Sequence, residues 1–203
     1  MKVGLAMVNH LPLKHAHSNT LYKILDASFD LFISQGIFDT TITDIARKAN
    51  LSRGGVRRYF ENPILILNTL CLEIFEVVDA EIYKITLNSE LSFEEKLIEL
   101  SEFFSNNKDY FLLFYQADTI SRNNQNLASF SARFASSRSE FFDFFKNSVL
   151  EEQKTNKHFQ TFPAEDIAIS LFSLFESMYL FKLPPNAHYT KAVFANSIKL
   201  FLR

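Results

Sequence analysis

An all-α fold is predicted for this 203-residue chain. Three observations predict it. Apolar residues recur at three- and four-residue spacing, and no stretch shows the alternation of a strand or the dipeptide of a hairpin turn. All four glycines fall at or before residue 55, and the five prolines sit at 12, 63, 163, 184 and 185, so long stretches run without a breaker. The chain is also 47% hydrophobic with 23 phenylalanines, enough apolar surface to bury a core and too much for a disordered segment.

Taken in order, residues 1–17 read as a loose arm. Their apolar stretch, Val3 to Val8, is interrupted by Asn9, His10, Pro12, Lys14 and His15 before a signal-peptide core forms. A first helix is predicted from Thr20 to Gln35, with Leu21, Ile24, Leu25, Ser28, Phe29 and Phe32 along one stripe and Gly36 ending it in a left-handed conformation. A second begins at Thr41, where Thr41 and Asp44 have capping-box spacing and Ile42, Ile45, Ala46 and Ala49 form the apolar face. Asn50 tolerates the positive φ of a turn, and Ser52 caps a third short helix running through Phe60 with Val56 and Phe60 buried.

Asn62 and Pro63 have the form of an N-cap and a first-turn proline, opening a long helix to Thr86. Further helices are predicted at 92–106, opened by a Ser92 to Glu95 capping box, and at 108–121, 124–154, 163–182 and 186–202, the last two separated by Pro184-Pro185. The organisation expected is a flexible arm (1–17), a three-helix domain (18–62) and, joined by the long helix, a larger helical domain (63–203).

The formal net charge of -2 hides an uneven division. Residues 1–62 carry 8 Lys+Arg against 5 Asp+Glu, and residues 63–203 carry 13 against 18. Attraction for a polyanion should therefore be local to the first segment. Cys71 is the only cysteine, which excludes an intrachain disulfide, and its neighbours Leu70, Leu72 and Ile74 suit a buried apolar role rather than a redox one. His158 and His188 lack partners at ligand spacing, so no metal and no cofactor are expected. Glu94-Glu95 and Glu151-Glu152 read as solvated faces or caps, and no nucleophile elbow, phosphate loop or dinucleotide fingerprint is present, so no enzyme is expected. No apolar run approaches the ~20 residues needed to cross a bilayer. A soluble, cytoplasmic protein is the expectation.

The second and third helices, joined at Asn50, have the proportions of a helix-turn-helix. With Val56 at the centre of the third helix's buried side, a step of about 100° per residue sends Gly54 and Arg58 to the opposite side and Gly55 and Arg57 to the flanks. Two consecutive glycines each cost roughly 1 kcal/mol of helix propensity against alanine. Small residues there let a helix backbone come close to a partner, while arginines reach phosphates or base edges. From charge alone, a solvated basic face on an ordinary helical bundle accounts for the pattern equally well.

Residues 22–65, YKILDASFDLFISQGIFDTTITDIARKANLSRGGVRRYFENPIL, decide between these readings. The block resembles the TetR family of regulators at Ile24, Leu25, Phe32, Gly36, Phe38, Thr40, Thr41, Asp44, Ile45, Ala46, Ser52 and Phe60. The resemblance implies DNA binding. It implicates Thr41 and Thr43 in phosphate contact through hydroxyls and helix N-terminal amides, and Ser52, Arg53, Gly54, Gly55, Arg57, Arg58 and Tyr59 in groove contact. Arg47 and Lys48 read as solvent-facing or backbone-steering charges. The chain departs from the family pattern at Arg57, where a tyrosine is common, at Tyr59, where a histidine is common, and at Pro63, where a phosphate-binding lysine often stands.

Nineteen of the 23 phenylalanines lie in 63–203. Helical aromatic spacing accounts for most as core or dimer interface. The resemblance also implies a pocket in this domain, for which Phe103, Phe111, Phe114, Tyr115, Phe134 and Phe175 are candidates and an apolar or aromatic small-molecule effector is expected. Tyr110, Gln116, Asp118, Arg122 and Arg133 suit either polar pocket roles or the surface. Broad apolar faces on the last two helices, Ile167, Leu171, Leu174, Phe175, Met178 and Phe181 on one and Val193, Phe194, Ile198, Leu200 and Phe201 on the other, fit the homodimer that the resemblance implies, set on a palindromic duplex operator. The implied function is a transcriptional repressor released by its effector. The rival expectation is a helical small-molecule- or protein-binding module whose N-terminal domain no longer binds DNA, motivated by Pro63 and the net negative charge.

Overall fold

The computed structural model describes residues 19–157, 159–180 and 196–197. The N-terminal arm, His158, Phe181, His188, Pro184-Pro185 and the helix expected at 186–202 lie outside the described residues or almost wholly so. Among the described residues there are eight assigned α-helices and two short 3-10 turns, with no strand. In chain order the helices are α1 (Asn19–Gln35), α2 (Ile42–Lys48), α3 (Arg53–Arg57), α4 (Pro63–Thr86), α5 (Phe93–Asn106), α6 (Lys108–Ser121), α7 (Ala128–Glu152) and α8 (Ala164–Leu180). The all-α expectation holds. No described helix is long and apolar enough to cross a membrane.

The helix boundaries follow from local chemistry. Gly36 takes a φ of 96° and ends α1, and Thr40, itself buried, donates its hydroxyl to the Gly36 carbonyl at 2.7 Å to lock the following loop. Asn62 Oδ1 accepts from the Leu65 N–H at 3.1 Å, so the Asn62-Pro63 start of α4 is capped as its sequence predicts. Ser92 and Glu95 form the expected reciprocal box at the start of α5. Hydrogen bonds from Ser92 to the Glu95 carboxylate hold it below the usual carboxylate range.

Two expected helices begin later than predicted. Asn124 caps a 3-10 turn over Gln125–Leu127, and only then does α7 begin at Ala128. Its side chain accepts from the Asn126 N–H, which favours the tight turn over an α start. Pro163 stands just before α8, its carbonyl receiving the Asp166 and Ile167 N–H groups.

The chain falls into two compact units. The first takes the described residues up to Asp79 together with Leu113–Phe134, and the second takes Ala80–Leu112 together with the described residues from Ala135 onward. In the first unit, Phe114 is fully buried among Phe75, Phe130 and Phe134, with ring centroids 5.4, 5.5 and 5.9 Å away. Asp79, 4% exposed on α4, is paired with Arg133 of α7, whose guanidinium also lies 5.2 Å from the centre of the Phe75 ring. In the second unit, Phe104 stacks on Phe111 at 4.3 Å and on Phe141 at 5.6 Å, and meets Phe175 edge-on at 5.7 Å. Arg138 of α7 pairs with Glu176 of α8, and Lys96 donates to the Thr86 carbonyl at 2.8 Å, closing the C-terminus of α4.

Cys71 is completely buried in α4, and that burial pushes its thiol well above the ordinary value of 9.0. The protonated thiol is the form the fold accommodates. Stability should therefore hold below the unfolded thiol's value and fall as pH climbs through and beyond it, because the unfolded chain ionises first. The native protein is expected to resist a thiol reagent at neutral pH and to react with one equivalent once denatured; rapid labelling of the native protein would contradict this placement.

Candidate nucleic-acid interface

The turn between α2 and α3 is built by three adjacent devices. Asn50 adopts a φ of 55°, the Leu51 N–H reaches back to the Ala46 carbonyl at 2.9 Å, and Ser52 Oγ accepts from the Gly55 N–H at 3.0 Å. These set α3 against α2, with Val56 fully buried on α3 and Ile42, Ile45 and Ala46 buried on α2. Phe60 is buried as expected but lies beyond the helix. The helix ends at Arg57 with Arg58 as its C-cap, and the Tyr59 N–H bonds back to Val56 in a tighter i to i-3 turn.

The opposite side is open. Ser52, Arg53, Gly54, Arg57, Arg58 and Tyr59 are all exposed. Arg53, Arg57 and Arg58 make no ion pair among the described residues. Two other cations of this domain differ. Arg47 is bound to Asp44 at 2.6 Å and Lys48 to Asp30 at 2.9 Å, so both are exposed yet already matched by carboxylates. Among the described cations of the head, these three arginines and Lys23 of α1 are the ones without an ion pair.

Gly55 departs from the expected surface set: it is buried. A Cβ added there would fall 3.2 Å from Ser52 Oγ, the atom that caps the helix, whereas at Gly54 the nearest atom is that same oxygen at 4.0 Å. Thr41 and Thr43 also separate. Thr41 Oγ1 accepts from the Asp44 N–H at 3.2 Å and donates its proton to the Asp44 carboxylate, leaving no proton to give a phosphate. Hydrogen bonds from the Thr41 hydroxyl and N–H, then the Arg47 charge, hold Asp44 below the usual carboxylate range. Thr43 is exposed, and its hydroxyl has no hydrogen-bond partner among the described residues.

Phe38, matched in sequence as the aromatic after Gly36, is 81% exposed, while Ile37 beside it is 5% exposed and fills the core position. The six aromatic pocket candidates do not form one set. Phe114, Tyr115 and Phe134 belong to the first unit's cluster, and Phe103, Phe111 and Phe175 to the second's. All but Tyr115 are buried, ring against ring. Asp79 was not singled out by sequence, although its place four residues after Phe75 and one after Val78 sets it on the buried side of α4.

Comparison with known proteins bears on the same segment. Residues 24–62 match the family described as bacterial regulatory proteins, tetR family. Two proteins of Pseudomonas putida, the HTH-type transcriptional regulators SrpR and TtgW, are each 37% identical over 51 residues, 25% of this chain. The match spans only 24% of SrpR and 38% of TtgW. Among solved structures, a bacterial regulatory protein in the tetR family from Rhodococcus RHA1 superposes with a TM-score of 0.69 at 18% identity, covering 92% of this chain and 97% of that one. That likeness extends the shared fold over nearly the whole chain.

Proposed function

We propose that this chain, whose residues 24–62 match the tetR family of bacterial regulatory proteins, is a DNA-binding transcriptional regulator, acting as a repressor released from its operator by a small apolar or aromatic effector. The observation that carries this reading is the exposed, ion-pair-free trio Arg53, Arg57 and Arg58 around a helix whose other side is sealed by Val56. Cations left without carboxylates on a capped, turn-braced helix suit a polyanion with a groove. Thr43 adds a hydroxyl for a phosphate, Tyr59 a second polar contact, and Ser52 and Gly54 lie where the helix meets the duplex. Thr41 and Gly55 serve the geometry of the contact through their caps.

In this reading 1–17 is an arm, 18–62 the reading head and 63–203 the regulatory and dimerisation domain of a cytoplasmic, non-enzymatic homodimer on a palindromic site. The last two helices pair the subunits. The aromatic interior of the regulatory domain, with Phe103, Phe111, Phe114, Tyr115, Phe134 and Phe175 as candidate walls, suits an effector that is itself apolar.

The test is duplex binding at several salt concentrations. Replacing Arg57 and Arg58 together by alanine should weaken binding by about 10-fold or more and flatten its dependence on salt. Retention of wild-type affinity and slope by the double variant would remove these arginines from the interface. A wild-type protein that binds neither random duplex nor heparin at low salt would overturn the regulator reading itself.

A further inference from the structure

The two adjacent glycines of α3 have different reasons to be glycine. Gly55 is buried and donates to Ser52 Oγ, and a side chain there would press on the oxygen that caps the helix. The fold itself accounts for it. Gly54 is exposed, carries no positive φ, and a Cβ there would meet only Ser52 Oγ, at an ordinary contact distance of 4.0 Å. Alanine at such a position favours a helix, so nothing among the described residues calls for glycine at 54.

Resting on the DNA-binding reading, we infer that Gly54 is where the α3 backbone comes into contact with the duplex, and that Arg58, one turn further on the same face, is the side chain that reads a base. Both residues lie two positions from Val56, about 160° around the helix from it. Of the three arginines without ion pairs, only Arg58 has this placement; Arg57 lies about 100° and Arg53 about 60° around from Val56, both on one flank of the helix, where they would meet a phosphate wall. A bare Gly54 lowers the helix into the groove far enough for Arg58 to reach its floor. The guanidinium fork matches the O6 and N7 acceptors of guanine, so the base pair read is G·C.

The experiment starts from a duplex library randomised at its centre and selected with the wild-type protein. Gly54→Ala should keep or raise Tm while weakening binding to the selected duplex by about 10-fold or more. Arg58→Ala should lose preference at one G·C pair of each half-site, again by about 10-fold, while Arg57→Ala should weaken all sequences alike. A Gly54→Ala protein of unchanged Tm and unchanged affinity overturns the contact, and one of lowered Tm overturns the premise that the fold does not need this glycine. Arg58→Ala with base preferences intact overturns the reading role. Failure of the wild-type protein to enrich or retain any duplex is a separate result: it removes the regulator reading, and this inference with it.

Discussion

Truncating Phe114 to alanine should lower the free energy of unfolding by about 3–5 kcal/mol, a large share of what a domain of this kind possesses. Phe114 is fully buried, and Phe75, Phe130 and Phe134 all stand within 6 Å of it, centroid to centroid. Removing the ring takes away its transfer free energy and leaves a hole bounded by three other rings, none of which can move in without losing its own contacts. Urea denaturation is the measurement, with a lower midpoint at an unchanged slope expected. Phe114→Leu, which keeps more of the volume, should cost markedly less. A midpoint shift near zero for the alanine variant would mean that the cluster is not close-packed around this ring.

Arg133→Ala should be the second large effect, at about 2–3 kcal/mol, somewhat below the cost of breaking a fully buried pair because the arginine side chain is partly reached by water. Arg133 sits 34% exposed and Asp79 6% exposed at the side chain, so the substitution leaves a carboxylate inside without the guanidinium that faces it. It also removes the cation from the face of Phe75. The double variant Asp79→Leu/Arg133→Met should recover much of the loss, because an apolar pair of similar volume needs no charge compensation. Equal destabilisation by the double and single variants would show that the loss comes from packing and not from the Asp79 charge losing its guanidinium.

What was legible in the sequence was mostly what is local. The capping boxes at Thr41 and Ser92, the caps at Ser52 and Asn62, and the left-handed positions Gly36 and Asn50 depend on neighbours within four residues, and each stands where the spacing put it. The early end of α3 was less legible, because Phe60 is buried with Val56 whether the last turn is α or tighter. Contacts between distant segments were not legible. Asp79 and Arg133 are 54 positions apart, and helical periodicity marks a buried face without naming what packs on it. For the same reason the aromatic candidates could be placed in the interior but not sorted into two clusters. At the interface, the capping box itself held the information that Thr41's hydroxyl was committed, since a box engages both of its side chains.

The internal pairing of Arg47 and Lys48 has a thermodynamic consequence. Cations that enter a complex already matched by carboxylates displace fewer condensed ions, so on the proposed DNA-binding reading the entropic gain on association would come mainly from the cations without ion pairs. On that reading, a head built this way would lose affinity with ionic strength more gently than its count of basic residues suggests.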